Sequence, residues 1–368
     1  MITKVKSIAT VAATNLTMSF DVHKILDVSS LQVLPNEVLV IIGPNGSGKT
    51  TLLLCLALLM KPTTGDIKYS GETIIDERLI LQLRRRIAVV FQEPLLLNST
   101  VWDNVTLGLS LRNVSKNEAK DRAQKWLERF GVANLAKRQA RTLSGGEAKR
   151  VSLTRAFALE PEVLFLDEPF TALDSPTRQA LLEDFESVLR ETKVSTVMVT
   201  HDRNEALVLA DRVAVLIRGQ IRQVGKPDEV FNYPVDEEVA GFVEAGNILA
   251  GEIVSDNEGL AIVETGSREI EVVSNLKTGT KVTICLRHED VTLALPGAES
   301  FTSSARNRFK GKVVRLFPVS SQVRVTIDCG FPLVALITRR SLEGMGLKEG
   351  QEVIATFKAS SIHLISHK

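Results

Sequence analysis

The fold of this chain is set by one octapeptide, Gly43-Pro44-Asn45-Gly46-Ser47-Gly48-Lys49-Thr50. It fits the G-x-x-x-x-G-K-[ST] phosphate loop, in which glycines let backbone N–H groups wrap around phosphates. A continuously apolar run, Val38–Ile42, precedes it, and an apolar segment, 51–60, follows it. This strand–loop–helix order predicts an α/β nucleotide-binding domain, with the positive end of the helix directed at the phosphates. Lys49 is expected to reach the β- and γ-phosphates and Thr50 to ligate Mg²⁺. Thr51 is predicted to be the last nucleotide-binding residue of this segment.

Two acids follow a second apolar strand, Val163–Leu166. Ligands bind at the carboxyl ends of parallel strands, so Asp167 and Glu168 are expected beside the phosphate loop. Asp167 is placed to hold Mg²⁺ through water. Glu168 is the better candidate to polarise the attacking water, because phosphoryl transfer relies mostly on positioning and charge. A solvated acidic turn is the alternative, and the presence of the phosphate loop argues against it.

Between these two motifs lies a third, Leu143-Ser144-Gly145-Gly146-Glu147, which opens a helix running to about residue 159. Ser144, Gly145 and Gly146 are therefore predicted at a helix N-terminus, a ready binding site for anions. One domain already has its phosphate loop. A second phosphate-facing helix end makes sense if it serves the nucleotide of a partner subunit. An ordinary capped helix start is the alternative, and the order of the three motifs disfavours it.

Apolar strand-like runs alternate with helical patterns over about residues 14–235, which indicates an α/β domain. We predict that this domain comprises residues 1–240. Further strands are predicted at Ser195–Thr200 and Arg212–Ile217.

Residues 93–143 are predicted to form a helical insertion in that domain. Within it, Ser115 and Glu118 have the spacing of a capping box. Trp126 and Phe130 recur at helical spacing and are predicted to pack in the core.

Residues 241–368 are predicted to form an all-β domain, because short alternating strands and glycine turns replace the earlier pattern. The tail also repeats itself, which favours two related β units, about 245–295 and 304–366, packed as one barrel-like domain. The echoed segments are Leu276-Lys277-Thr278-Gly279 with Leu347-Lys348-Glu349-Gly350, and Ala245, Asn247 and Gly251 with Ala305, Asn307 and Gly311.

Composition excludes several classes of protein. The net charge of +1 gives no broad basic field, so nucleic acid is not expected as a partner. The three cysteines have no paired spacing and are expected to be reduced thiols. No apolar run approaches the roughly 20 residues that span a bilayer, and no signal peptide is evident in the first residues. A cytosolic protein is expected, one that docks on a membrane partner.

The three motifs together resemble the ATP-binding subunit of ABC transporters, over residues 14 to about 240. The resemblance implies ATP and Mg²⁺ as cofactors, and two copies that close around two nucleotides. It also implies that Phe20 stacks on adenine and that Gln92 couples Mg²⁺ and the attacking water to the transmembrane partner. By the same resemblance, Asp174 acts across the dimer and His201 contacts the γ-phosphate. Tyr is commoner at position 20 and Gln at position 147, and neither variation argues against ATP hydrolysis.

The resemblance also implies partners: a second copy of the chain, an integral membrane permease and, indirectly, an extracytoplasmic substrate-binding protein. The segment 94–108 would then meet a short cytoplasmic helix of the permease, with Trp102 near the contact; a locally packed Trp is the alternative. The expected location is the cytoplasmic face of the cell membrane, as a peripheral protein.

The tail resembles the accessory β domain (TOBE) of importer ATPases, and its second unit resembles the small molybdate-binding (Mop-type) domains. The matching segments are Ser303–Asn307, Gly311–Val314, Ile337–Ser341 and Phe357–Ser361. A tetrahedral oxyanion is well held by hydroxyls, an amide and cations. The residues that would supply these groups are Ser304, Arg306, Asn307, Lys358 and Ser360. The alternative is that they only satisfy barrel turns and a subunit contact.

The sequence therefore predicts the ATPase of an ABC importer for molybdate or tungstate, with a tail that senses the oxyanion. An importer ATPase for sulfate, iron, polyamine or sugar is the first alternative. A non-transport ABC ATPase acting on ribosomes or DNA is a second, and a storage or sensing protein built on the tail a third.

Overall fold

The computed structural model describes residues 8–74, 76–297 and 303–367. The chain divides into two compact units, Met1–Val230 and Phe231–Lys368. The sequence places this boundary later, at residue 240. In the described part of the chain, no helix is both long and apolar enough to cross a membrane.

Within the described residues, the first unit alternates strands and helices as expected for an α/β domain. Its strands are β1 Val11–Phe20, β2 His23–Val33, β3 Val38–Ile42, β4 Thr64–Tyr69, β5 Glu72–Thr73, β6 Ile87–Val90, β7 Val163–Asp167, β8 Ser195–Val199, β9 Arg212–Ile217 and β10 Gln220–Gly225. Its helices are α1 Lys49–Leu56, α2 Glu77–Arg84, α3 Val101–Leu111, α4 Lys116–Arg129, α5 Gly145–Ala158, α6 Ser175–Thr192 and α7 Arg203–Leu209, with α8 Pro227–Asn232 at the division.

The central sheet has the strand order β10-β9-β3-β8-β7-β6. Strands β9, β3, β8, β7 and β6 are parallel, and β10 is antiparallel at the edge. Every residue of β3, β7 and β8 is buried, because helices cover both faces. A second, antiparallel sheet has the order β2-β1-β4-β5. The parallel sheet brings the carboxyl ends of β3, β8 and β7 side by side.

The helical insertion consists of α3 and α4 with two short 3₁₀ turns, and α5 follows it. Trp126 and Phe130 are buried and pack against Phe157 of α5, as predicted. The capping box predicted at Ser115 is only half formed: the Ser115 hydroxyl accepts the Glu118 N–H, while the Glu118 carboxylate pairs with Arg122. The Arg122 guanidinium draws that carboxylate away from the helix end.

Over its described residues, the second unit is all-β apart from two short helices and two 3₁₀ turns. Its described elements are α9 Glu237–Phe242, β11 Asn247–Asn257, β12 Leu260–Thr265, β13 Arg268–Val273, β14 Lys281–Leu286, β15 Thr292–Ala294, β16 Asn307–Val319, β17 Gln322–Asp328, β18 Pro332–Thr338, α10 Arg339–Met345, β19 Glu352–Phe357 and β20 Ile362–Ser366.

The two sequence repeats exchange their last strands. One sheet has the order β13-β12-β11-β14-β20 and the other β15-β19-β16-β17-β18. Thus β20 of the second repeat pairs with β14 of the first, and β15 of the first pairs with β19 of the second. The inner faces of both sheets share one hydrophobic core.

Two asparagines at matching positions join the repeats of the second unit. Asn307 at the start of β16 bonds through both amide atoms to the backbone N–H and carbonyl of Glu271 in β13, at 2.8 Å each. Asn247 at the start of β11 bonds in the same way to Val334 in β18, at 2.6 and 2.9 Å. Both side chains are buried. Each side-chain amide therefore bonds the backbone of an edge strand in the other repeat, as a neighbouring strand would.

The glycines echoed between the repeats are required for space. A Cβ on Gly251 would lie 2.5 Å from Val263, and a Cβ on Gly311 would lie 2.6 Å from both Ile327 and Cys329. Both glycines therefore let a long strand bend closely over its hairpin partner. Cys55, Cys285 and Cys329 are all buried and free, as expected.

Candidate functional site

The phosphate loop lies between β3 and α1, at the carboxyl edge of the central sheet. A Cβ on Gly43 would lie 2.0 Å from the carbonyl oxygen of Leu216 in β9, so only glycine fits there. Gly48 has a φ of +97° and forms the N-cap of α1. The hydroxyl of Ser47 is buried and, among the described residues, has no hydrogen-bond partner. The loop thus presents backbone N–H groups and an unsatisfied hydroxyl at a helix N-terminus.

The Lys49 ammonium lies inside the loop. It donates to the carbonyl oxygens of Gly43 at 2.9 Å and Pro44 at 3.1 Å. Burial lowers its pKa, and the charges of Glu168 and Asp167 oppose that shift. The ammonium is therefore held at the centre of the loop by weak carbonyl acceptors, which phosphate oxygens can replace with a charge-assisted bond.

Thr50 and Asp167 lie together at the start of α1 and the end of β7. The Thr50 hydroxyl donates to the Asp167 carboxylate at 3.1 Å. Burial raises the pKa of Asp167, while the bond from Thr50 and the charge of Lys49 lower it. A hydroxyl and a carboxylate are the oxygen ligands that Mg²⁺ takes alongside substrate phosphates. These side chains therefore fit the metal predicted from the sequence.

Glu168 follows β7 in a strained backbone conformation. Its φ of +44° is rare for a residue with a side chain, and its N–H is fixed to the carbonyl of Val199 at 2.9 Å. The carboxylate accepts a bond from the Thr171 hydroxyl at 3.0 Å and lies 3.1 Å from His201 Nδ1. The geometry thus points this carboxylate at the edge where the phosphate loop and the histidine meet.

The loop carrying His201 is anchored by a partly buried ionic cluster that the sequence analysis does not predict. Glu205 on α7 is only 3% exposed and accepts bonds from the Thr200 hydroxyl and from the guanidinium of Arg178 on α6. Arg178 also pairs with Asp202. The exposed His201 side chain is therefore set between two fixed residues. No local spacing reveals this cluster, because Arg178 is far from the other three in sequence.

Helix α5 begins with a capping box that the motif Leu143-Ser144-Gly145-Gly146-Glu147 encodes. The Ser144 hydroxyl accepts the Glu147 N–H at 3.3 Å, and the Glu147 carboxylate accepts the Ser144 N–H at 2.7 Å. The backbone and side-chain bonds with Ser144 lower the pKa of Glu147. A glutamate at this position therefore stabilises the helix start. Nothing lies within 4 Å of a Cβ built on Gly145, whereas a Cβ on Gly146 would meet Thr177.

Three other predicted residues of the first unit lie on separate elements. Phe20 is half-exposed at the end of β1, and Gln92 is exposed in the loop after β6. The Asp174 carboxylate accepts the Thr177 N–H and caps α6. Lys149, which sequence reasoning also missed, is buried and donates to the backbone carbonyl of Gln92. Burial lowers the pKa of Lys149, while Glu168 and Asp167 raise it.

The predicted oxyanion residues lie in the second repeat of the tail. Asn307 is buried and its amide is bonded to β13, as described above. Arg306 pairs with the Glu271 carboxylate at 3.1 Å, and Glu271 is the residue of β13 to which Asn307 is also bonded. Ser304, Lys358 and Ser360 are exposed, and the latter two lie in the turn before β20. The Asn307 amide and the Arg306 guanidinium are thus already bonded to Glu271 of the first repeat.

A groove lies between α3 and α4 of the helical insertion. Trp102 and Leu107 line it together with Leu97, Thr106, Val114 and Ala119, and its charged lining residues are Asp103, Lys116 and Lys120. Leu107 and Leu111 expose 44% and 68% of their surface, more than most leucines of a folded protein. Trp102 and Leu107 lie within the segment 94–108 that the sequence predicts to meet a permease, whereas Leu111 and the groove residues of α4 follow that segment.

A phosphate loop at the sheet edge, two acids at the carboxyl end of β7 and a capped helix start after a helical insertion are the features of an ATPase of the ABC class. The sequence profile of the ABC transporter family matches residues 26–171, and that of the TOBE domain matches residues 303–364. The similarity of whole chains goes further. A Pyrococcus horikoshii protein, molybdate/tungstate import ATP-binding protein WtpC, is 37% identical over 91% of this chain and 94% of its own.

Two further comparisons agree on the class. The sulfate/thiosulfate import ATP-binding protein CysA 1 of Rhizobium meliloti is 43% identical over 60% of this chain and 64% of its own. The ATP-binding cassette MJ0796, solved as a dimer in a post-hydrolysis state bound to ADP and Pi, matches 59% of this chain and 98% of its own, with a TM-score of 0.54 and 30% identity. The chain belongs to the ABC transporter family, as an ATP-binding subunit with a C-terminal TOBE domain.

Proposed function

We propose that this protein is the ATP-hydrolysing subunit of an ABC importer that brings molybdate or tungstate into the cell. The observation that carries the proposal is the similarity to a molybdate/tungstate import ATP-binding protein over 91% of the chain, a length that must include most of the tail. In this proposal, the ATP site supplies the energy for transport, and the tail is the part of the chain that supports an oxyanion as the transported substrate.

In this proposal the carboxyl edge of the sheet binds and positions ATP. Lys49 and the loop N–H groups hold the phosphates, and Phe20 offers its ring face to adenine. Thr50 and Asp167, with Gln92, would hold Mg²⁺, which would neutralise charge on the phosphate oxygens. Glu168 accepts a proton from the attacking water, and His201, 3.1 Å from that carboxylate, contacts the γ-phosphate.

The second phosphate-directed helix end completes the site of another copy. Ser144, Gly145 and Gly146 would lie on the γ-phosphate of the nucleotide held by the partner subunit. Support comes from the capping box, which fixes the backbone at the start of α5, and from the open space above Gly145. Asp174, next to this helix start, would contact the partner across the dimer.

The groove between α3 and α4 is the proposed docking surface for the permease. An amphipathic helix can place its apolar face in such a groove. Lys116 and Lys120 favour acidic residues on the part of that helix that they contact. The chain would then be peripheral, at the cytoplasmic face of the membrane. An extracytoplasmic binding protein would deliver the oxyanion to the same permease.

The tail is the proposed sensor of intracellular oxyanion. Ser304, Lys358 and Ser360 are exposed, and Arg306 is paired with Glu271, so an oxyanion would compete with Glu271 for the guanidinium. Asn307 would support the site through its bonds to β13. Added molybdate or tungstate should suppress permease-coupled ATP hydrolysis, and Arg306→Met should remove that suppression. Unchanged hydrolysis at saturating oxyanion would contradict the sensor.

The substrate is tested by transport. The chain is reconstituted in vesicles with its permease, and ATP-dependent uptake of molybdate, tungstate and sulfate is measured. Molybdate or tungstate uptake with little sulfate uptake is expected. Dominant sulfate uptake would support one of the alternatives, a sulfate importer, in line with the similarity to CysA 1.

The catalytic assignment is tested by Glu168→Gln. The variant should bind ATP, lose hydrolysis and accumulate a closed dimer, because the amide cannot accept the proton of the attacking water. Phosphate release and size-exclusion chromatography with ATP measure the two effects. Glu183→Gln, on the exposed side of α6, is the matched control. Hydrolysis by the Glu168→Gln variant at the parental rate would refute the assignment.

A further inference from the structure

The loop that carries Gln92 is held by side chains of helix α5. It joins β6 to α3 with no regular secondary structure over residues 91–99. The Lys149 ammonium donates to the carbonyl of Gln92, and the Ser152 hydroxyl donates to the carbonyl of Pro94 at 3.4 Å. The Arg155 guanidinium donates to the carbonyls of Pro94 and Leu95, at 3.0 Å each.

The three donors form one row on α5. Residues spaced by three lie on the same face of a helix, one turn above the next. Lys149 and Ser152 are buried, so their bonds are shielded from competition by water. Leu95 has a φ of +43°, a conformation that needs support from its surroundings. The row supplies that support from outside the loop.

The far end of the loop is attached to α3 in the same manner. The buried amide of Asn104 on α3 accepts the Leu97 N–H at 2.7 Å and donates to the Leu97 carbonyl at 3.2 Å. The loop therefore has α5 as its support on one side and α3, which lines the groove, on the other. Among the described residues, the backbone–backbone bonds of residues 91–99 are confined to Leu97 and Ser99, at the α3 end of the loop.

We propose that Lys149, Ser152 and Arg155 are positioning residues that make the Gln92 loop move together with helix α5. The same helix begins at Ser144, so a nucleotide that seats on its N-terminus would fix the position of Gln92 through this row. The inference rests on the proposed function for the roles of Ser144 and Gln92. It adds the physical link between them, and Lys149 is its central member because it holds Gln92 itself.

The test compares two substitutions of Lys149 in the complex with the permease. Lys149→Met fills similar space and cannot donate, whereas Lys149→Gln keeps a donor. Lys149→Met should lower kcat by about tenfold with KM for ATP changed by less than about twofold, and Lys149→Gln should retain most of the parental kcat. Lys137→Met, an exposed lysine of the same insertion, should leave both constants unchanged.

A second measurement reports the loop directly. Amide hydrogen exchange of residues 91–99 should be faster in Lys149→Met than in the parent, and Lys149→Gln should restore protection. If Lys149→Met fails to fold, Arg155→Met gives the same readout, because it removes the bonds to Pro94 and Leu95. Parental kcat and exchange in the folded Met variant, or equal impairment of the Gln and Met variants, would overturn the proposal.

The Glu168→Gln variant separates the two levels of inference. If it hydrolyses ATP normally, the proposed catalytic site is wrong. If it is inactive while Lys149→Met hydrolyses and exchanges as the parent does, only the link between α5 and the Gln92 loop is wrong.

Discussion

At the residue scale, the two glycine motifs of this ATPase need glycine for different reasons. Gly43 has no room for a side chain, since a Cβ would lie 2.0 Å from the Leu216 carbonyl. Gly145 has ample room and an ordinary backbone, so nothing within its own subunit requires glycine. Its requirement, if the proposed dimer is right, comes from the partner's nucleotide.

This difference predicts opposite effects of two alanine substitutions. Gly43→Ala should destabilise the first unit by about 3 kcal/mol, because strand β9 must shift. Gly145→Ala should leave stability unchanged or raise it by up to about 1 kcal/mol, since alanine favours helix, yet it should lower ATP hydrolysis severalfold. Urea unfolding and phosphate release measure the two properties. Full activity of Gly145→Ala would contradict the proposed role of this helix end.

The site residues that the sequence predicts at the edge of the central sheet share one property. The phosphate loop, Asp167 and Glu168 are each adjacent to a buried strand, so local pattern places them at the same sheet edge. Lys149 and Arg178 were missed because their partners lie far away in sequence and the pattern around them is that of an ordinary helix. Only the packing of α5 and α6 brings them to the site.

At the element scale, Arg178 joins α6 to α7 beneath the His201 loop. Burial raises the pKa of Glu205, while the bonds from Thr200 and Arg178 lower it. The net shift is upward, so protonation of Glu205 favours the folded state at low pH, and this contribution is lost as the pH rises through the folded-state pKa. The guanidinium limits that loss by pairing with the carboxylate.

Arg178→Met should therefore destabilise the first unit by about 3 kcal/mol at neutral pH, because a buried carboxylate loses its cation. The deficit should shrink as the pH is lowered from about 8 to about 5, because without Arg178 the pKa of Glu205 rises further. Thermal unfolding across this range measures it. Arg178→Met combined with Glu205→Gln should flatten the pH dependence, and a deficit independent of pH in the single variant would argue against this account.

At the scale of the whole molecule, the tail is held together by reciprocal exchange between its repeats. The repeats were predicted from echoed segments, and the positions of Asn247 and Asn307 in those echoes correspond in the structure. The exchange of β15 and β20 was not predicted, because an echo reveals which segments are alike and carries no information on which sheet each strand joins. The functional expectation for Asn307, a ligand to an oxyanion, likewise omitted its structural bonds.

The asparagines give a test of this architecture. Asn307→Ala and Asn247→Ala should each destabilise the second unit by about 2–4 kcal/mol, because each leaves two backbone groups of the other repeat unpaired. The loss should be the same without any oxyanion present. Asn257→Ala, exposed at the end of β11, is the control. Thermal unfolding of the full chain measures the loss, and a normal melting temperature for both variants would contradict the account.

The strand exchange also has a consequence for biosynthesis. While the ribosome is still translating the second repeat, the sheet of the first repeat ends at β14 with an open edge, and its remaining neighbour, β20, does not yet exist. An unpaired edge is a template for association with other nascent chains. The tail must therefore wait for late residues before it can close, whereas the central sheet of the ATPase unit, complete once β10 has emerged, has no such delay. Premature termination within the second repeat would thus leave a sheet edge exposed to chaperones and proteases.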